Sequence, residues 1–173
     1  IPVLDFNRVQ GLVIGGATQL STVRAGGGRI YGSLEYGWSN EIWNYQLGVE
    51  KSWFDKHKIA VGSGFYKITD TNETGLLSES ENILSAILFG EAFRDYFLRK
   101  GYKSWLSLKL TPSTKLKVQY NDDEYSSLFK MTDWSLFNPE EPKPSNRRIN
   151  DGIIKSIKTS YLFDSRDVKK HSN

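Results

Sequence analysis

The chain has 173 residues, 23 Lys and Arg against 20 Asp and Glu, and no Cys. That length suits one domain with a sizeable core, the absence of Cys removes disulfides and thiolate chemistry, and a formal charge of +3 with scattered lysines offers no basic patch to nucleic acid. Mean hydropathy is −0.48 and no apolar run approaches the length of a membrane-crossing helix, whereas a membrane barrel stays open because half of each of its strands is polar.

Residues 1–10 read as a lead-in. Gly11 to Leu20 forms a first strand with Leu12, Ile14 and Leu20 on one side, and Gly15 and Gly16 allow bending or close approach. Residues 21–28 make a loop ending in three glycines, which match neither phosphate-binding fingerprint. From Arg29 to Trp53 the chain alternates apolar and polar residues, breaks at Ser39-Asn40, and alternates again. One face carries Ile30, Leu34, Tyr36, Trp43, Tyr45, Leu47, Val49 and Trp53; the other carries Arg29, Ser33, Glu35, Asn44, Gln46 and Glu50. Such alternation predicts a hairpin with one apolar side.

A two-residue loop at Ser39-Asn40 pairs Tyr36 with Trp43, Leu34 with Tyr45 and Ile30 with Val49, so the two apolar faces coincide. On the polar face Arg29 then meets Glu50, an opposite-charge pair that supports this register. Trp43 and Trp53 bound the apolar stretch; ten residues at a tilt of about 40° span roughly 25 Å along a membrane normal, the height of a lipid-facing band. The polar face suits a wet lumen. The eight apolar residues are therefore expected to face lipid and the six polar ones the lumen.

His57 to Thr69 reads as a fourth strand, with Ile59, Val61 and Phe65 on one face and Ala60, Gly62 and Gly64 opposite. Between Glu81 and Phe97 the spacing turns helical through Ile83, Leu84, Ile87 and Leu88, with Ser78 or Ser80 as a cap and Gly90 as a break. This insertion is expected to pack on the barrel end, with an interfacial membrane helix as the alternative. Tyr102 to Leu110 and Lys115 to Asn121 are a fifth and a sixth strand around Thr111-Pro112-Ser113, and Ile153 to Asp164 is a seventh after a long polar connection. Seven strands leave an unpaired edge, and bacterial barrels close with even numbers. The chain, opening on Ile1-Pro2 without a visible signal segment, thus reads as the N-terminal part of a longer barrel, with residues 1–173 in one domain.

No catalytic constellation emerges, and no cofactor or metal is expected. His57 and His171 stand apart, and Asp122, Asp123 and Glu124 at a strand end read as a solvated loop rather than a calcium site. Phe6-Asn7-Arg8-Val9-Gln10-Gly11, Trp43-x-Tyr45-x-Leu47-Gly48-x-Glu50, Thr69-Asp70-Thr71, Glu81-Asn82 before Ala86-x-Leu88, Arg94-Asp95-Tyr96 with Lys100-Gly101, and Asp164-Ser165-Arg166-Asp167 occur in that order. Together they resemble the barrel of BamA/TamA-type bacterial surface antigens, in the subset with a helical insertion after the fourth strand.

That resemblance implies a sixteen-stranded barrel of the bacterial outer membrane that assembles or exports other proteins, with membrane lipid and client proteins as partners. The family's periplasmic domains and its Val-Arg-Gly-Phe/Tyr loop motif are not in this sequence, so no insertase residue carries over. The alternatives are a soluble β-barrel binding an apolar ligand and the barrel part of an outer-membrane hydrolase. Sidedness is pulled two ways. Long loops outside would place the end bearing 70–101 and 122–151 at the cell surface. The resemblance starts the first strand from the periplasm and puts that end inside, and the expectation follows the resemblance.

Overall fold

The structure, a computed structural model, describes residues 1–21, 27–53, 59–73, 79–91, 94–111, 113–137, 142 and 144–164. The strands are β1 (Pro2–Asn7), β2 (Gly11–Ser21), β3 (Gly28–Gly37), β4 (Ile42–Trp53), β5 (Ile59–Asp70), β6 (Phe97–Thr111), β7 (Thr114–Ser127) and β8 (Gly152–Phe163), with one helix, α1 (Glu79–Phe89). Each strand pairs antiparallel with its neighbours in the chain, giving one eight-stranded up-and-down sheet in the order β1 to β8. β1 and β8 are not paired with each other, so the sheet is open. The all-β, up-and-down reading with one short helix holds at that level.

The strand count needs correction, because residues 2–7 are a strand and not a lead-in. Turn chemistry explains it. The Asn7 side-chain oxygen accepts from the backbone N–H of Val9 (3.1 Å) and Gln10 (2.8 Å), and Gly11 takes a φ of 65°, so β1 folds back onto β2. The β3–β4 register is the one that the alternation demands, Arg29 opposite Glu50 through Tyr36 opposite Trp43. Its loop is longer than two residues. The ladder stops at Gly37 and Ile42, while the N–H groups of Trp38 and Ser39 turn to the carbonyls of Leu12 (2.9 Å) and Gln10 (2.8 Å).

Helix α1 ends at Phe89, at the break expected at Gly90, and the insertion is not helical on to Phe97. Gly90 adopts φ 71° and its N–H bonds the Ala86 carbonyl at 3.0 Å, a left-handed cap that stops the helix. Ser80 lies inside the helix, and Ser78 and His57 lie outside the described residues, as does His171. β6 starts at Phe97, and β7 continues to Ser127 through Asp122, Asp123 and Glu124. Those acids are therefore strand residues with partners, not a loop.

Strand pairing places the connections 8–10, 38–41, 71–96 and 128–151 at one end of the sheet. That end holds the most buried side chains, Val9, Val13, Asn7, Asn82 and Ser135. Val9 packs with Tyr96 and Leu128, and Phe6 packs with Ala86, Ile83 and Ile87 of α1. Burial thus sits at the capped end and along the polar face, not between two layers.

Candidate functional site

The two faces of the sheet differ sharply, and the pairing carries the hairpin's alternation across the other strands. Leu47 aligns with Gly32 and Phe65, Trp43 with Tyr36, Val61 with Leu106, and Leu106 with Val118. On this face Leu47 is 56 % exposed and Trp43 52 %; Ile30, Leu34, Tyr45, Val49 and Trp53 are exposed too, and Tyr36 is half-buried. Opposite them Asn44 is only 3 % exposed, and Arg29, Ser33, Glu35, Gln46 and Glu50 are half-buried. Apolar side chains are out in the open on the one face and polar ones are sheltered on the other.

The sheet curls around its polar face. A cavity of about 460 Å³ is lined by Arg29 on β3, Trp105 on β6, Lys117 on β7 and Leu162 on β8. Strands five places apart in a flat sheet would be about 24 Å from each other, too far to share one cavity of that size. Curvature is needed.

Side chains that skip a strand on the concave face account for it. Trp105 lies across Gly62 of β5 and donates from Nε1 to Glu50 of β4 at 3.0 Å, and Glu50 also pairs with Arg29 at 3.3 Å. Tyr66 of β5 pairs with Gly101 of β6 and donates to Asp123 of β7 beyond it, whose carboxylate a Cβ at Gly101 would meet. Tyr31 of β3 lies over Gly48 of β4, with its hydroxyl next to Gly64 of β5. In each case the strand in between supplies a glycine, since a Cβ there would collide: at Gly62 it would stand 2.1 Å from the indole. Arg99 and Lys103 sit 5.2 and 5.3 Å from the Tyr66 ring centre, and Lys117 sits 5.3 Å from that of Trp105. The concave wall is thus a charged, hydrogen-bonded lining built on aromatic bridges.

Periodicity of the apolar faces picks out neither Tyr66 nor Trp105, and Asp123, read from the sequence as part of a solvated loop, is the strand residue that accepts from Tyr66. The signal was available: Trp105 has the opposite parity to Leu106, Leu108 and Leu110, and Gly62 and Gly64 have the opposite parity to Val61 and Phe65. On the convex face the apolar belt meets charge towards the capped end. Lys100 pairs with Glu124 (3.4 Å) and Lys155 with Asp122 (3.4 Å), next to Lys67. Among the described residues no three His, Cys, Asp or Glu side chains are grouped to hold a metal ion.

The capped end is a polar lock. Buried Arg8 donates to the Arg94 carbonyl at 2.8 Å and pairs with Asp95, while its own carbonyl accepts from Met131 and Thr132. Asn146 accepts from the Tyr96 N–H (2.8 Å) and donates to the Tyr96 and Leu128 carbonyls (2.7 Å each). Asn82 of α1 donates to the Tyr96 hydroxyl at 3.0 Å. Burial, reinforced by the Asp5 carboxylate, pushes the Tyr96 phenol up to about 12. These bonds tie the β1–β2 turn, the helix and the 128–151 connection together.

Residues 1–163 match a family described as a family of unknown function (DUF5686), C-terminal domain. No curated protein and no solved structure matches. The resemblance to BamA/TamA-type surface antigens is therefore corrected, because the family found is a different one and nothing points to the surface antigens. The residues that carried it explain the error. Asn7 to Gly11 is a hairpin turn, Trp43 to Glu50 is an alternating strand and Arg94 to Tyr96 is part of the end lock, features that serve any curled meander.

Proposed function

We propose that this chain, whose residues 1–163 belong to the family of unknown function (DUF5686), C-terminal domain, forms one wall of a transmembrane β-barrel in the bacterial outer membrane. The observation behind this reading is the pairing of an exposed apolar convex face with a sheltered, charged concave face on one curled sheet. A soluble barrel that binds an apolar ligand needs the opposite arrangement, with apolar side chains inside the curve. Ile30, Leu34, Tyr36, Trp43, Tyr45, Leu47, Val49 and Trp53 would meet lipid, and Arg29, Ser33, Glu35, Asn44, Gln46 and Glu50 a wet lumen. The open edges β1 and β8 would be closed by further strands, since an uncovered edge in a membrane leaves backbone groups unpaired. Assembly or export of other proteins loses its ground with the surface-antigen likeness. What the residues support is a barrel with a polar interior.

Period-two accessibility tests it. Single cysteines carrying a spin label can be placed at Ser33, Leu34, Gln46 and Leu47 of the full-length protein in bilayers, with any Cys outside these 173 residues replaced. Positions 34 and 47 should be reached by oxygen and shielded from a water-soluble nickel complex, with 33 and 46 the reverse. Nickel access at 34 and 47 would overturn the membrane reading.

The sidedness expected from the surface antigens changes too. The strand at Gly11 is the second in the sheet, and with the likeness gone the long-loop rule stands unopposed. The capped end, with the connections 71–96 and 128–151, is then extracellular. Arg147, whose side chain is 86 % exposed, lies in the second of these. Trypsin added to intact cells should cut at Arg147 or Arg148; cleavage there only after permeabilisation would place the capped end inside.

A further inference from the structure

Helix α1 lies against the convex face beside β1. Phe6, Leu12, Ile14 and Trp38 share that face, since Phe6 pairs with Leu12 and Ile14 with Tyr36. Ile83, Ala86 and Ile87 of the helix pack on Phe6, and the Trp134 ring meets Phe6 edge-on at 5.6 Å. A strap from Thr132 to Phe137 is fastened to the helix: the N–H groups of Leu136 and Phe137 bond the carbonyls of Ile87 (2.8 Å) and Leu88 (3.0 Å). Helix and strap together form a shelf that stands out from the sheet.

Between shelf and sheet runs a groove of about 520 Å³, lined by Phe6, Leu12, Ile14, Trp38, Ile87 and Trp134, with Ser39 and Thr132 as its polar members. That volume falls within the roughly 300–1,000 Å³ of small-molecule sites. We propose that the groove holds the acyl chain of a membrane lipid, with the shelf resting at the bilayer interface. This rests on the membrane reading above and extends it from a passive belt to a defined lipid site.

Continuity identifies the occupant. Ile14, in the groove wall, belongs to the same exposed row as Leu4 and pairs with Tyr36, whose ring is tilted against that of Trp43 at 4.9 Å. The groove therefore opens straight onto the belt, and a chain leaving the lipid phase crosses no polar barrier to enter it. Trp38 and Trp134, exposed by 62 % and 51 %, flank it with amphipathic rings of the kind that anchor at the boundary of the hydrocarbon. The shelf's own outer side adds Leu84, Phe89, Leu136 and Phe137, all exposed, which a shelf in bulk water would leave unmatched.

Quenching by lipids brominated along the acyl chain tests the site in the full-length protein in bilayers. Variants keep one tryptophan each, at position 134, 43 or 105. Trp43 reports the belt, and Trp105, on the concave face, serves as the unquenched control. Trp134 emission should fall as far as that of Trp43. Quenching at Trp43 without quenching at Trp134 would overturn the groove site and leave the belt standing; loss of quenching at both would overturn the two together. Ile87→Glu, which sets a charge in the groove wall, should abolish quenching at Trp134 and leave that at Trp43 unchanged. With Ile87→Glu added to each single-tryptophan variant, unchanged quenching at Trp134 alongside normal quenching at Trp43 would also overturn the site.

Discussion

Leu47→Arg should destabilise the full-length protein in bilayers by about 2–4 kcal/mol, the cost of a cation at the midplane of a barrel's lipid face. Leu47 lies between Trp43 and Trp53 on β4, next to Gly32 and Phe65. Trp43→Arg should cost only about 0–1 kcal/mol for its charge, because the penalty falls away at the interface. Loss of the Tyr36 ring contact adds about 0.5–1.5 kcal/mol to that. Gln46→Arg, on the concave face, should be close to neutral.

The three substitutions separate the environments that the convex face could have. In water, a half-exposed Leu47 replaced by Arg would change stability by no more than about 0.5 kcal/mol. Packed against another protein layer, Leu47→Arg and Trp43→Arg would both bury an unpaired charge at a cost of several kcal/mol. Lipid alone predicts a large penalty in the middle and a small one at the rim. Unfolding midpoints in bilayers for these variants decide between the three.

The hairpin was legible because its alternation is strict and its polar face brings Arg29 onto Glu50, so pattern and charge select one register. β1 was not, since its six residues include Pro2 and adjacent Val3 and Leu4, too short and too irregular for a period-two signal. Its turn was readable in principle, as Asn7 four residues before Gly11. Strand lengths failed where charge enters the convex face. Asp122 and Glu124 look like loop residues until Lys155 and Lys100 stand opposite them, and that pairing is non-local. The concave lining was invisible for the same reason. Nothing in the sequence near Gly62 says that Trp105, 43 positions later, will lie on it. Sign of curvature, aromatic bridges and the helix on the convex face all depend on contacts between strands, which periodicity does not encode.

Gly62→Ala tests the curvature device directly, and its effect should be large for a single methyl group. The added Cβ would fall 2.1 Å from the Trp105 ring, which is nearly buried and held by its bond to Glu50. The indole must leave, so the variant loses part of what Trp105→Ala itself loses, about 3–5 kcal/mol for a large buried aromatic. Reduced freedom of the unfolded chain returns only about 0.4–1 kcal/mol of this. A net loss of roughly 2–4 kcal/mol is expected from those opposing terms. The double variant supplies the decisive comparison. With Trp105 already truncated, the methyl at position 62 has room, and Gly62→Ala should then cost almost nothing or stabilise slightly. The coupling between the two sites should therefore equal almost the whole of that loss, roughly 2–4 kcal/mol, at the upper end of what residues in direct contact show. Phenolic bridges should follow the same rule, with Gly48→Ala coupled to Tyr31→Ala. Additivity of Gly62→Ala and Trp105→Ala within about 0.5 kcal/mol would mean that the indole does not rest on the glycine, and the account of the curled concave wall would fall with it.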